Sequence, residues 1–308
     1  MPQGIYLPEG SLLESQENQA FLACEEGLQE ARRTGAILEA VATMCDENRA
    51  LHLRLGSLRA YIPREEAGLG ADRGSLREIA ILSRVGKPVC FRVIGQDGDA
   101  FVLSRRAVQE EAARYFQTDL LPGEIIRTTV THLEQFGAFV DMGCGLVSMI
   151  GIENISVSRI SHAAQRFAPG QRVPAAVLRK EPSGRICLTH RELLGTWEQN
   201  AARIRPGTAL RGIVRSIEPY GVFVELAPNL SGLAEPFEGA RVGMEASVFV
   251  KSIVRDRMKI KLSILDLLPG QGTRLICEED YMIREGRLTR WQYQPETCLR
   301  HCVETVFA

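Results

Sequence analysis

Alternating apolar and polar positions recur three times along the chain. Gly35, Gly123 and Gly207 each open a run of short segments rich in Val, Ile, Leu and Phe, at spacings of 88 and 84 residues. Period-two alternation over four to eight residues marks a half-buried strand. Each run closes on two such segments, 89–93 with 101–104, 176–180 with 185–189, and 248–251 with 259–263. Between them lie 96–99 (Gln-Asp-Gly-Asp), 182–184 (Pro-Ser-Gly) and 255–257 (Arg-Asp-Arg), the first two supplying the Gly, Asp and Pro that tight turns require. About five strands per unit, each short, predict a small closed Greek-key barrel rather than a sandwich.

Helical signals punctuate this pattern. Segments 75–84 and 161–167 read as short helical patches before Gly86 and Gly170, and in the third unit the patch is nearly deleted between Pro236 and Gly243. Residues 11–33 read as one helix packed on the first barrel, with Ser11 and Glu14 as a capping box and Gly35 as its stop. After Leu268 the pattern ends. Residues 269–272 read as a linker, 274–293 as a hairpin turning at Glu285-Gly286, and 295–306 as a short helix, with Trp291 and Tyr293 alternating on a strand beneath it. The expected organisation is therefore a helical segment at 1–34, barrels at 35–116, 120–195 and 205–268, and an appended hairpin-helix unit at 269–308, mainly β throughout.

Composition narrows the class. No apolar run approaches the length that spans a bilayer, and the first ten residues lack the basic end and apolar core of a secretory signal, so a cytoplasmic protein without membrane association is expected. The eight cysteines stand mostly one per segment, with no Cys-x-x-Cys pair, which predicts free thiols in a reducing compartment. Cys277, Cys298, His301 and Cys302 invite a zinc reading, but their spacing suits buried thiols on a small helix better, and neither metal nor cofactor is expected. A net charge of −1 argues against a charge-driven clamp on duplex DNA and leaves room for a protein that holds single strands by stacking. No phosphate loop, Gly-x-Ser-x-Gly or His-Glu-x-x-His motif is present, and the five histidines are scattered, which argues against an enzyme.

The candidate chemistry lies in the strand starts. Phe136-Gly137-Ala138-Phe139 and Tyr220-Gly221-Val222-Phe223 place two rings around a glycine, where the glycine is expected to bend the strand and present both rings on one face. Such rings are core residues in most contexts; repeated around a glycine at a strand start, they suit stacking on single-stranded bases. Arg179, Lys180 and Arg185 in the second unit, and Lys251, Arg255, Arg257, Lys259 and Lys261 in the third, are the cations nearest such a face, though alternation prevents all of them from sharing it.

These segments resemble the S1 domain, an OB-fold RNA-binding module. In the second unit the likeness rests on Pro122-Gly123-Glu124, on 136–141, on 149–156, on Gly170-Gln171-Arg172-Val173 and on 185–189. In the third it rests on 220–224, Ser231-Gly232-Leu233-Ala234, Gly243 and 259–263; the first unit matches in outline only. The resemblance implies an RNA face built from two aromatics, a histidine after the third strand and a basic residue on the last hairpin. By position the second unit keeps Phe136, Phe139 and Arg185, with Gly151 in the histidine place. The third keeps Tyr220, Phe223 and Lys259, with Glu235 in that place, where an acid would repel phosphate. The first offers only His52 and Arg49 near the aromatic places, with Pro63 and Ala100 in the other two, and is expected to keep the barrel without the stacking platform. The resemblance further implies a monomeric binder of single-stranded mRNA at the small ribosomal subunit, its first barrel docking through protein contacts. The alternatives are a ribosome-independent regulator of transcription or RNA decay, and a protein-interaction scaffold.

Overall fold

The alternation read along the chain becomes strands with one buried and one open face. In the computed structural model, which describes residues 6–298 and 303–307, the first barrel comprises β1 (Leu38–Cys45), β2 (Leu51–Leu55), β3 (Leu58–Ile62), β4 (Pro88–Asp97) and β5 (Ala100–Ser104). The second comprises β6 (Ile125–Glu134), β7 (Gly137–Asp141), β8 (Val147–Gly151), β9 (Arg172–Lys180) and β10 (Ile186–Thr189). The third comprises β11 (Ala209–Glu218), β12 (Gly221–Ala227), β13 (Leu230–Ala234), β14 (Met244–Val254) and β15 (Lys259–Gln271). All three close in the same order, the third strand of each pairing parallel with the fifth. These are the expected tandem OB-fold barrels. Each core is filled by the inward set of its strands, for example Val214, Val222, Val224, Val248, Ile260 and Leu262 in the third.

The N-terminal helix differs from expectation. It is broken into α1 (Gln16–Leu22) and α2 (Glu25–Thr34), with Ser15 rather than Ser11 capping the first. The amides of Gly10 and Leu12 donate instead to the Glu39 carboxylate, which holds that segment out of the helix. Cys24 is extended between the two helices, and a Cβ at Gly27 would stand 2.5 Å from the Phe21 carbonyl oxygen, so the crossing requires glycine. α2 buries Leu28 and Ala31 on the barrel and ends at Gly35, which is left-handed as expected. The helical patches become α3 (Glu78–Leu82) and a 3-10 turn at Ala163–Gln165. The strand pattern does not anticipate α4 (Arg105–Thr118), capped by Ser104, or α5 (Trp197–Ala201), capped by Thr196.

The C-terminal segment also differs. Residues 274–293 do not form a hairpin with each other: a 3-10 turn at Glu278–Asp280 precedes β16 (Arg290–Gln292), which pairs with β17 (Glu304–Val306), where a helix was expected. Trp291 opposes Thr305 in that pair, and Trp291 and Tyr293 are buried. Cys277 is exposed rather than buried, Cys298 is buried, and His301 and Cys302 lie outside the described residues. The chain divides into two compact units: residues 1–120 with 141–147, which hold the first barrel, α4 and the β7–β8 turn with Asp141, and residues 121–140 with 148–308, which hold the rest of the second barrel, the third barrel and the C-terminal segment. Among the described residues no helix is long and apolar enough to cross a membrane.

Candidate nucleic-acid interface

Both ring pairs sit at a two-residue turn between the first and second strands of their barrels, and neither belongs to the core. Phe136 is 55% exposed and Tyr220 is 65% exposed, while Phe139 and Phe223 are half-buried on the outer faces of β7 and β12. The rings meet edge to face in both barrels, with centroids 6.0 Å and 6.3 Å apart and planes at 89° and 87°. This is a favoured aromatic geometry and leaves ring surface open to solvent. The glycine allows a close approach of backbone. A Cβ at Gly137 would stand 2.3 Å from the Ile150 carbonyl oxygen, and one at Gly221 2.3 Å from that of Ala234. The third strand therefore crosses tightly beneath each turn, and the Phe136 carbonyl is anchored by the Ile152 amide at 2.9 Å.

The second barrel adds a ring that the motif does not supply. Gly151 ends the third strand, β8, and His132 on β6 lies over Phe139 with centroids 6.2 Å apart and planes at 29°. Its Nε2 is 2.6 Å from Glu134 Oε1. The available signal was its place four residues before the turn ring, on the face that Phe139 shares; the third barrel has Ser216 there, directly opposite Phe223. Arg179 is exposed and 3.6 Å from Glu181, opposite Cys187 in register. Lys180 is opposite Ile186. Arg185 is exposed in the turn before β10, where its amide contacts Ser183 Oγ.

In the third barrel the cations separate. Phe223 opposes Leu233, Leu233 opposes Lys261, and Lys261 opposes Ser252, so Lys261 lies on the same cross-strand row as the ring. Lys259, the residue picked out by position, is exposed two residues earlier, opposite Val254, and Arg255 is at the exposed hairpin tip. Lys251 is the extra residue of a β-bulge between Val250 and Ser252, a device that re-aims a side chain. It turns to Glu235, with Nζ 2.9 Å from Oε1. The acid expected to oppose phosphate is thus paired with a cation, although so exposed a pair is weak.

The first barrel is not bare of rings. His52 opposes Tyr61 on β3, with centroids 6.1 Å apart. This ring pair stands one strand away from those of the other barrels, and both rings are tied to carboxylates: His52 Nε2 is 2.8 Å from Asp46 and the Tyr61 hydroxyl donates to Asp97 at 3.2 Å. They line a shallow cavity of about 680 Å³ together with Arg54, Arg59, Asp97 and Asp99. Among the described residues no cluster of His, Cys, Asp and Glu has the arrangement of a metal site.

Residues 120–191 match the family model for the S1 RNA binding domain. The chain is 31% identical over 176 residues to small ribosomal subunit protein bS1 of Leuconostoc lactis, a match covering 55% of this chain and 40% of that protein. It is 30% identical over 215 residues to the bS1 homolog of Bacillus subtilis, covering 64% and 55%. With bS1 of Neisseria meningitidis it shares 28% over 257 residues, covering 77% and 44%. The chain spans about half the length of these relatives.

Proposed function

We propose, from the premise that this chain carries an S1 RNA-binding domain in residues 120–191, that it holds single-stranded RNA on the outer faces of its second and third barrels and works in translation at the small ribosomal subunit. The observation that carries this reading is the repeated ring pair, built twice at nearly the same spacing and angle and left open on both barrels. An exposed ring forgoes the stabilisation that burial would give, and two barrels forgo it at the same place. Bases stacking on such rings contribute about 1–3 kcal/mol each with little sequence preference.

In this reading Phe136, Phe139 and His132 receive bases on the second barrel, and Tyr220 and Phe223 on the third. Arg179, Lys180 and Arg185, and Arg255, Lys259 and Lys261, are the cations available to the phosphates on the two barrels. Lys251 serves instead to neutralise Glu235. The relatives named for the small ribosomal subunit support the ribosomal setting. The test is titration of the full chain with a labelled unstructured RNA, followed by sucrose-gradient sedimentation of cell extract. Binding with co-sedimentation at the small subunit is expected. Binding without co-sedimentation would leave a ribosome-independent RNA regulator, and absence of binding would overturn the reading.

A further inference from the structure

The second and third barrels are joined by polar groups taken fully out of water. Arg166, which ends the 3-10 turn of the second barrel, is completely buried, and its Nη2 donates to Glu225 Oε2 on β12 at 2.6 Å. Arg215 donates to the same oxygen through Nε at 2.7 Å and to Gln165 Oε1 through Nη1 at 3.3 Å. Arg215 is the extra residue of a β-bulge between Val214 and Ser216, which turns it towards Glu225 instead of into the outer row. A buried carboxylate between two guanidiniums is costly to separate, because opening leaves a charge without a partner.

A second junction lies at the turn between β12 and β13. Asn229 is completely buried; its Oδ1 accepts from the Val157 amide at 2.8 Å, and its Nδ2 donates to the carbonyls of Arg191 and Gly195 at 2.8 and 2.9 Å. The Ser158 amide donates to the Pro228 carbonyl, and the Ser158 and Ser231 hydroxyls are 3.2 Å apart. The C-terminal segment spans both barrels. Ile276 exchanges hydrogen bonds with Arg166 and Gln171 of the second, while Arg274 donates to the Leu226 carbonyl and the Tyr293 hydroxyl to the Asn229 carbonyl of the third.

We infer that Arg166, Glu225, Arg215 and Asn229, with residues 274–293 as a brace, are positioning residues that hold the second and third barrels as one rigid body and so fix the span between their ring pairs. The consequence for ligand choice rests on the RNA reading above: a single strand long enough to bridge the fixed span gains the second site at high effective concentration, and a shorter one gains nothing. Barrels on a flexible tether would instead show affinity rising gradually with length.

Two measurements on the full chain test this. Residual dipolar couplings from the strands of the second and third barrels are expected to fit one alignment tensor; two independent tensors would overturn the rigid pair whatever RNA does. Oligouridylates across roughly 4–16 nucleotides, the span of OB-fold site sizes, are expected to show a single step of about 100-fold in affinity. Glu225→Gln is expected to flatten that step while leaving affinity for the shortest oligomer unchanged, a result that general loss of structure would not give. A gradual rise in the native chain would overturn the fixed span. If Glu225→Gln does not fold, the native tensors and the native length series still decide. One tensor with no binding at any length would overturn the RNA reading and leave the rigid pair standing.

Discussion

On the outer face of the third barrel, Phe223, Leu233, Lys261 and Ser252 form one cross-strand row; on the first barrel the matching row is His52, Tyr61, Val102 and Gly95. The strand order beneath them is the same. The third barrel puts a ring and a cation on its row and a second ring, Tyr220, at the preceding turn. The first puts two rings on its row but no cation, and secures both to Asp46 and Asp97. A carboxylate about 4 Å from a phosphate opposes it by about 1 kcal/mol even in water. In the proposed reading one frame therefore carries a face that receives a polyanion and a face that does not, and the difference rests on a few outward positions that leave the core untouched.

The contrast extends to the interiors. In the first unit, burial pushes the Glu39 and Asp141 carboxyls up to about 7, with Glu9 nearby adding to the effect. In the second unit, burial pushes His190 down to about 4; its ring is held between the Ile155 carbonyl and the Tyr281 hydroxyl. The signs are opposite. A carboxyl whose folded pKa is raised stabilises the fold at low pH, and that contribution is lost as pH rises from the ordinary carboxyl range through about 7. A histidine whose folded pKa is depressed stabilises above its ordinary value, and that contribution is lost as pH falls from about 6.5 through about 4.

The largest expected effect separates the two units by pH. Both tryptophans, Trp197 and Trp291, lie in the second unit, so tryptophan fluorescence during urea unfolding reports that unit alone. Its stability is expected to fall by about 3 kcal/mol between pH 6.5 and 4, because the unfolded chain takes up a proton that the buried His190, pushed down to about 4, resists. Over the same range, amide exchange in β1–β5 is expected to slow for the Glu39 and Asp141 contribution, after correction for intrinsic exchange. Parallel responses would remove the contrast.

The next effect concerns the faces. Phe139→Ala is expected to weaken binding of unstructured RNA by about 1–3 kcal/mol across unrelated sequences, read by fluorescence anisotropy; an unchanged affinity would remove the ring from the site. Lys261→Ala should lower the slope of log affinity against log salt by about 0.7, which distinguishes a phosphate contact from a solvated lysine. The smallest expected effect is that of Tyr61→Ala, which should leave RNA affinity within about twofold. A loss comparable to that of Phe139→Ala would mean that the first barrel binds RNA as well, and the comparison between the faces would collapse.

Much of this was legible in advance at short range. The ring–glycine–ring segments stood out because strand start, turn and crowding all act within four residues. His132 was harder to see, since nothing in its own segment marks it as a stacking partner; only the hairpin brings it over Phe139. Two bulges lie beyond what local alternation shows: at Lys251 and Arg215 one extra residue sends the side chain to a partner, Glu235 or Glu225, that no local pattern names. The C-terminal segment was misread for a related reason. Its second strand is only three residues long and gains its partner across the chain, so its local preference carries little weight.

By itself the sequence determined three barrels, their strands and turns, and the two ring pairs, because alternation, turn chemistry and glycine placement are properties of neighbouring residues. The tertiary structure alone decided that Lys261 rather than Lys259 shares a row with Phe223, that Lys251 neutralises Glu235, that the first barrel's rings are bound to carboxylates, and that Arg166, Glu225 and Arg215 join two barrels through one buried oxygen. Those outcomes depend on register across strands distant in the chain, where a shift of one residue exchanges the inner face for the outer.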